Sequence, residues 1–198
     1  MQGLRHQQLT LHSSGHLGAS RNVVLVREGT IAIPDPDPRV TSRFGVRLVS
    51  VGVPAVDLGD RESFGGETPD QEQAQALARA LHGQGVTADR PAGLVALGGV
   101  GWRAVEAVIA LGPAIDRVAF VGLRVPEQPL AQSDVEILLR RIEPEVLLVP
   151  GEHGEGADAL AWITQRLPEG RASRAEGGSL PAVWPALMEH LTVGVGAE

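Results

Sequence analysis

The stretch that decides the fold is GLVALGGVGWRAVEAV, residues 93–108. It begins with a short apolar run, continues through the glycines Gly98, Gly99 and Gly101, and passes directly into residues with helical periodicity. A buried strand, a tight turn and a helix are typical of the elbow that holds a reactive group at the top of a parallel sheet. The turn contains no serine, cysteine, aspartate or lysine. The sequence therefore predicts the elbow without the reactive group.

Short apolar runs recur along the rest of the chain and alternate with helical stretches in its second half. Several runs, such as VVLV and VLLV, have no polar alternation, which indicates strands buried on both faces. This alternation predicts an α/β fold of three layers, with helices on both faces of a mostly parallel sheet. No repeat or change in composition divides the chain, so we expect a single domain over residues 1–198. The predicted strands cover residues 8–12, 22–27, 46–53, 93–97, 117–123 and 145–150.

Five segments are predicted to be helices. A capping box at residues 68–71, with proline at the first helical position, starts a helix that ends near Gly83. A second box at residues 133–136 starts a helix that ends near Ile142. Alternating prolines at residues 33–38 exclude helix and ladder pairing, so this segment is predicted to be an extended loop. The other helices cover residues 102–111, 157–167 and 182–191, and we expect the apolar stripe of the last one, with Trp184 and Met188, to pack on the sheet.

Composition and charge exclude several classes of function. The formal charge of −7 at pH 7 argues against nucleic acid, whose binding requires cations against phosphates. All 17 basic residues are arginine, which excludes Schiff-base chemistry and a P-loop lysine, and is typical of a high-GC bacterial genome. No apolar run reaches the roughly 20 residues of a membrane span. Without a signal segment or any cysteine, we expect a cytoplasmic protein that binds no membrane.

In the order and spacing of its elements, the chain resembles a small α/β-hydrolase without a cap domain over residues 8–191. NVVLVREGT resembles the family strand that ends in His-Gly before the oxyanion loop, with Glu28 in place of the histidine and Gly29 retained. RLVSVGVPAVDLGDRES resembles the next strand and its loop. LVALGGVGW resembles the nucleophile elbow, with Gly99 at the nucleophile and Gly101 at the last glycine of G-x-S-x-G. Like elbow nucleophiles, Gly99 is expected to have a positive φ.

The other two members of the family triad are also missing. After RVAFVGLRVP, which resembles the strand following the elbow helix, EVLLVPGEHGEG resembles the acid loop, with Gly154 where aspartate is usual. RASRAEGGSLPAVWPALMEHL resembles the last strand, the histidine loop and the last helix, with Ser179 where histidine is usual. Serine hydrolysis needs a hydroxyl, a base and a group that orients the base. The resemblance therefore implies a pseudoenzyme, a non-catalytic binding or scaffold protein for a small molecule or a protein partner. The sequence leaves open whether the chain forms homo-oligomers, and no cofactor is expected.

The resemblance also implies a vestigial pocket at the carboxyl ends of the strands. Its candidate lining residues are Glu28, Gly29, Thr30, Gly99, Val100, Trp102 and His153. One alternative function is that of an active esterase whose catalytic residues have moved, because a fold does not determine a function. The nucleophiles and bases available to it include Ser50, Ser63, Ser179, His153 and His12.

Two further alternatives are a nucleotide site and a metal site. Residues 96–101 differ by one position from G-x-G-x-x-G, but the next strand ends in Gly122 and Arg124, where a dinucleotide site would have an acidic residue. His153 lies in an acidic loop without a second histidine or cysteine at ligand spacing. We therefore expect a structural glycine turn and a solvated loop, with no metal. The acidic neighbours of this histidine are Glu152, Glu155 and Asp158.

Overall fold

The computed structural model describes residues 9–15, 18–31, 33–54, 69–127, 129–154 and 156–193, and these residues contain a sheet of seven strands. The strand order is β1-β3-β2-β4-β5-β6-β7. Only β1 is antiparallel to its neighbour, and the five other pairings are parallel. The predicted α/β class is therefore confirmed. The strands are β1 (Thr10–Gly15), β2 (Arg21–Glu28), β3 (Val46–Val53), β4 (Ala92–Leu97), β5 (Ile115–Val121), β6 (Glu145–Val149) and β7 (Ala172–Arg174).

Helices cover both faces of the sheet and bury two separate apolar layers. Alternate residues of one strand serve different layers: Val24 and Val26 pack beneath α2 to α5, whereas Val23 and Leu25 face α6. None of the helices described is long and apolar enough to cross a membrane. The helices are α1 (Pro38–Arg43), α2 (Pro69–Gly83), α3 (Gly101–Leu111), α4 (Pro129–Leu139), α5 (Ala157–Thr164) and α6 (Leu180–Thr192).

The decisive stretch folds as its sequence predicts. Strand β4 ends at Leu97, a single 3₁₀ turn covers Gly98–Val100, and α3 begins at Gly101. The turn lies at the carboxyl end of β4, a central strand that is parallel to its neighbours β2 and β5. The strand–turn–helix elbow is therefore present.

The last helix packs on the sheet as expected. Trp184 is fully buried, and its indole Nε1 donates to Thr41 Oγ1 at 3.0 Å. Thr41 belongs to α1, a helix that the sequence analysis missed because prolines dominate the segment before it. Asp37 caps α1, with its side chain accepting from the backbone nitrogens of Arg39 and Val40. The prediction of an extended loop over residues 33–38 is therefore wrong at Pro38, the first residue of α1, while Asp37 has extended backbone dihedrals.

Several predicted boundaries need correction. The helix predicted from the box at Ser133 begins earlier, at Pro129, whose fixed φ suits the first turn. Ser133 Oγ donates back to Pro129 O inside the helix at 3.2 Å, so this serine does not cap it. The first strand continues to Gly15 because residues 10–15 all pair with β3. Strand β5 runs over residues 115–121, α5 ends at Thr164, and β7 was expected only from the family resemblance. Gln8 and Thr68 lie outside the described residues.

Candidate functional site

The elbow turns at Gly98, one residue before the position predicted from the sequence. Gly98 has a φ of +56°, in the left-handed region that favours glycine, whereas the φ of Gly99 is not positive. The prediction of a positive φ at Gly99 is wrong, because the strand ends at Leu97 and the next residue already makes the turn. A Cβ on Gly98 would have no atom within 4 Å. A side chain at this position would therefore project into open space.

A carboxylate from the neighbouring strand lies against Gly99. Glu28, the last residue of β2, places Oε2 2.6 Å from the point that a Cβ on Gly99 would occupy. Its other oxygen, Oε1, lies 3.4 Å from Nη2 of Arg103 on α3. The first turn of a helix carries partial positive charge, which also favours a carboxylate there. The chain thus places its own negative charge against the elbow.

Arg103 connects this carboxylate to two further elements. The residue is 7% exposed, and its Nη1 donates to the backbone oxygen of Pro54 and to Oε1 of Gln73, each at 2.8 Å. Pro54 directly follows β3, and Gln73 belongs to α2. A buried charge is tolerated when it is paired and hydrogen-bonded. One guanidinium therefore joins the ends of β2 and β3 to α2 and α3.

Gly101, the third glycine of the elbow, lacks a side chain for a different reason. A Cβ on Gly101 would overlap Leu123 Cδ1, because α3 lies directly against the residues that follow β5. Leu123 is buried in the layer beneath α2 to α5. Gly98 thus allows the left-handed turn, Gly99 leaves room for the Glu28 carboxylate, and Gly101 allows the close contact with Leu123.

The positions predicted for the acid and the base carry no acid and no base. Gly154 is exposed, has a φ of +80° and would have no atom within 4 Å of an added Cβ. Ser179 is the N-cap residue of α6, but its side chain makes no capping hydrogen bond. Its backbone oxygen accepts from the nitrogens of Ala182 and Val183 instead. None of the three triad positions presents a nucleophile beside a base.

A shallow pocket of about 400 Å³ lies at the carboxyl edge of the sheet. Of the seven residues predicted to line it, Glu28 does so. Val100 is fully buried in the core, and Trp102 is half-buried, with its Nε1 donating to the backbone oxygen of Arg124 at 3.0 Å, so both predictions are corrected. The lining residues are Arg27, Glu28, Ile33, Leu97, Gly98, Val121, Gly122, Gly151, Glu152, Gly178 and Leu180.

The other predicted lining residues lie around this pocket rather than in its wall. Gly29 donates its backbone N–H to the oxygen of Val53 at 2.8 Å, which ties the end of β2 to that of β3. The backbone oxygen of Thr30 accepts from Thr10 Oγ1 at 2.8 Å. His153 is exposed and has a φ of +59°, while Gly99 is exposed beside Glu28. The backbone of Gly29 and Thr30 therefore holds the segment after β2 against β3 and β1.

Among the described residues considered for a relocated hydrolase, no hydrogen bond joins Ser50 or Ser179 to His12 or His153. Ser50 is 1% exposed within β3, and its Oγ accepts from the backbone nitrogen of Ile33 at 2.9 Å. His12 pairs with Ser50 across the ladder but is exposed on the edge strand β1. Ser63 lies outside the described residues, as does Glu155. Within the part of the chain that is described, no group of three or more histidine, aspartate or glutamate side chains could hold a metal ion.

The geometry at Gly99 also bears on nucleotide binding. A phosphate at this elbow would stand at the amino end of α3, which is the usual place for one. Glu28 already occupies that side of the turn with a negative charge. Two anions within a few ångströms repel each other, so the arrangement disfavours phosphate.

No protein-family model matches the sequence, and no curated protein matches it either. Solved structures do match the fold. A predicted CIB-like hydrolase from Thermoplasma acidophilum is 16% identical, with a TM-score of 0.63 and coverage of 91% of this chain and 87% of that one. The thioesterase domain from the curacin biosynthetic pathway is 14% identical, with a TM-score of 0.66 and coverage of 91% and 94%.

A third structure carries the fold name itself. It is an alpha/beta hydrolase enzyme from a Medee basin deep-sea metagenome library, with 11% identity and a TM-score of 0.62. The match covers 96% of each chain. Together with the parallel sheet and the elbow at Gly98–Val100, these matches identify the architecture: the chain has the α/β-hydrolase fold.

Proposed function

We propose that the protein is a non-catalytic binding protein built on the α/β-hydrolase fold. The observation that carries the proposal is the carboxylate of Glu28, which lies against Gly99 and beside Arg103. The absence of side chains at Gly98, Gly99 and Gly154, and of a histidine at Ser179, supports it independently.

The position of Glu28 matters because of how acyl transfer works on this fold. The backbone N–H of the residue after the nucleophile stabilises the oxyanion of the tetrahedral intermediate. With the turn at Gly98, that residue is Gly99. A negative charge against Gly99 opposes the negative charge that develops in the transition state, whereas a catalyst needs donors aimed at it. Glu28 thus disfavours ester hydrolysis even if a nucleophile were supplied.

Hydrolysis of 4-nitrophenyl acetate and 4-nitrophenyl butyrate tests the proposal. We expect the purified chain to give no turnover above a buffer blank. Ser179→Ala and Ser50→Ala serve as matched variants. Turnover that persists through purification and is lost in Ser179→Ala alone would overturn the proposal and identify the nucleophile of an active esterase. Turnover unchanged in both variants would overturn it as well, with Ser63 as the next residue to replace.

A further inference from the structure

The pocket carries charges of opposite sign at its two ends. Arg27 stands at the end of β2 and Glu152 follows β6, and both line the pocket. Strands β4 and β5 lie between them. Three inter-strand spacings of about 4.8 Å separate the two strand ends by roughly 14 Å. The positive and negative ends therefore belong to opposite sides of the pocket.

The two charged residues at the end of β2 are engaged differently. Arg27 and Glu28 are consecutive, so their side chains leave the strand on opposite faces. Glu28 is directed to Arg103 and Gly99, whereas Arg27 Nε donates to the backbone oxygen of Glu28 at 3.1 Å. The negative charge of Glu28 is thus balanced by Arg103, and Arg27 supplies the positive charge at this end of the pocket.

Between the charged ends the pocket is lined by apolar side chains and glycines. The register aligns Arg27 with Leu97 on β4, and Leu97 with Val121 on β5, so that they form one row across the strand ends. Glycines follow the same strands and leave backbone as the floor of the pocket. These glycines are Gly98, Gly122 and Gly151, and the apolar wall also contains Ile33 and Leu180.

We propose that the pocket binds an elongated zwitterion, with its carboxylate against Arg27, its ammonium against Glu152 and an apolar chain between them. The inference rests on the proposed function, since it names the ligand class of the same site. Two to three extended residues span about 7–10 Å, so a short linear peptide fits when the side chains of Arg27 and Glu152 together cover the remaining distance of roughly 4–7 Å between the strand ends. An ω-amino acid of similar length shares the same chemistry.

Calorimetry at low ionic strength with matched probes tests the charge separation. The probes are 8-aminooctanoate, its isomer 2-aminooctanoate with both charges at one end, octylamine and octanoate. We expect 8-aminooctanoate to bind about fivefold more tightly than each of the other three, which is the upper range for one exposed ion pair. A tripeptide, Ala-Leu-Ala, distinguishes the two ligand sources, because tighter binding than 8-aminooctanoate indicates recognition of peptide groups by the backbone floor. Equal affinities for the two isomers, or binding of none of the probes, would overturn the proposal.

Charge-removing variants locate the binding. Arg27→Gln and Glu152→Gln should each weaken 8-aminooctanoate about fivefold. Arg171→Gln and Glu169→Gln are matched controls, since both residues are exposed at the opposite edge of the sheet. Equal effects in the variants and the controls would contradict the assignment. The outcome is separable from the esterase assay: turnover with selective binding removes only the non-catalytic proposal, and no turnover without binding removes only the ligand class.

Discussion

The elbow and the two loops opposite it occupy the same edge of the sheet but are built in different ways. At the elbow, each position without a side chain has a neighbour or a backbone conformation that explains it: the turn at Gly98, Glu28 at Gly99 and Leu123 at Gly101. In the loops, Gly154 has a φ of +80° that explains the glycine, but no atom lies within 4 Å of an added Cβ, and Ser179 makes no capping bond. The elbow positions Gly99 and Gly101 therefore face neighbouring side chains, whereas Gly154 and Ser179 have no such side-chain contact.

This difference teaches where substitutions should matter. Changes at the elbow should alter stability because they disturb an ion pair, a turn or a helix contact. Changes at Ser179 should alter little, and a side chain on Gly154 should cost only the strain of its φ of +80°.

Loss of Arg103 should be the most damaging of these changes. In Arg103→Met, the backbone oxygen of Pro54 loses its buried donor and Glu28 loses its counter-ion, so we expect stability to fall by about 2–3 kcal/mol. Urea unfolding measures the loss. Arg171→Met is the matched control and should change stability by less than about 0.5 kcal/mol. Equal losses in the two variants would mean that the contacts of Arg103 do not stabilise the fold more than an exposed arginine does.

The two elbow glycines should respond to serine for different reasons. Gly98→Ser should cost about 1–2 kcal/mol because a side chain with this φ is strained. Gly99→Ser should cost about 1 kcal/mol because its Cβ meets Glu28. Neither variant should hydrolyse esters, because no described histidine lies beside the new hydroxyl and the Glu28 carboxylate opposes the charge of the oxyanion. Activity in Gly99→Ser would show that Glu28 acts as the base, and would make the triple change Gly99→Ser, Gly154→Asp, Ser179→His the next comparison.

Helix α6, which follows Ser179, carries His190 near its other end, far from the pocket. Burial lowers the pKa of His190, Arg117 lowers it further, and Nε2 lies 3.2 Å from the oxygen of Val118. Unfolding raises this pKa towards 6.5, so the unfolded chain binds the proton more readily and stability falls as the pH drops below about 6.5. Unfolding midpoints at pH 5 and 7 should differ less in His190→Gln than in the wild type. The exposed His82→Gln is the control, and an equal reduction there would contradict this assignment.

The smallest effect is expected at Ser179, the position predicted for the base. Serine at an N-cap usually contributes about 1 kcal/mol, but Ser179 makes no capping bond, so Ser179→Ala should change stability by less than about 0.5 kcal/mol. Asp37→Ala is the contrasting variant. Asp37 accepts from Arg39 and Val40 at the start of α1, so its loss should cost about 1 kcal/mol. Similar losses in the two variants would show that Ser179 does cap α6.

Local patterns account for what the sequence predicted correctly. Buried runs and the glycine cluster at residues 98–101 determine the parallel sheet and the elbow, because each depends on neighbours in the chain. Three glycines within four residues are nearly equivalent in sequence, so the one-residue difference between Gly98 and Gly99 became visible only from the backbone conformation. Helix α1 did leave a signal, since Asp37 before Pro38 is a cap followed by a first-turn proline.

The pairing of Glu28 with Arg103 left no comparable signal. Arg103 lies in the helical stretch after the elbow, where an arginine usually indicates a solvated face, and its partners come from three other elements. Only the folded sheet brings them together. The contacts of Glu28 at the elbow were therefore the part of the site that the sequence could not predict.

A double-mutant cycle between Glu28 and position 99 tests the central claim most directly. If the carboxylate occupies the space against Gly99, then Gly99→Ser should cost less in a Glu28→Ala background than in the wild type, with a coupling of at least about 0.5 kcal/mol. The same cycle between Glu28→Ala and the open position in Gly154→Ser should be additive. Coupling in the first cycle and additivity in the second is the predicted result. Additivity in both cycles would contradict the account.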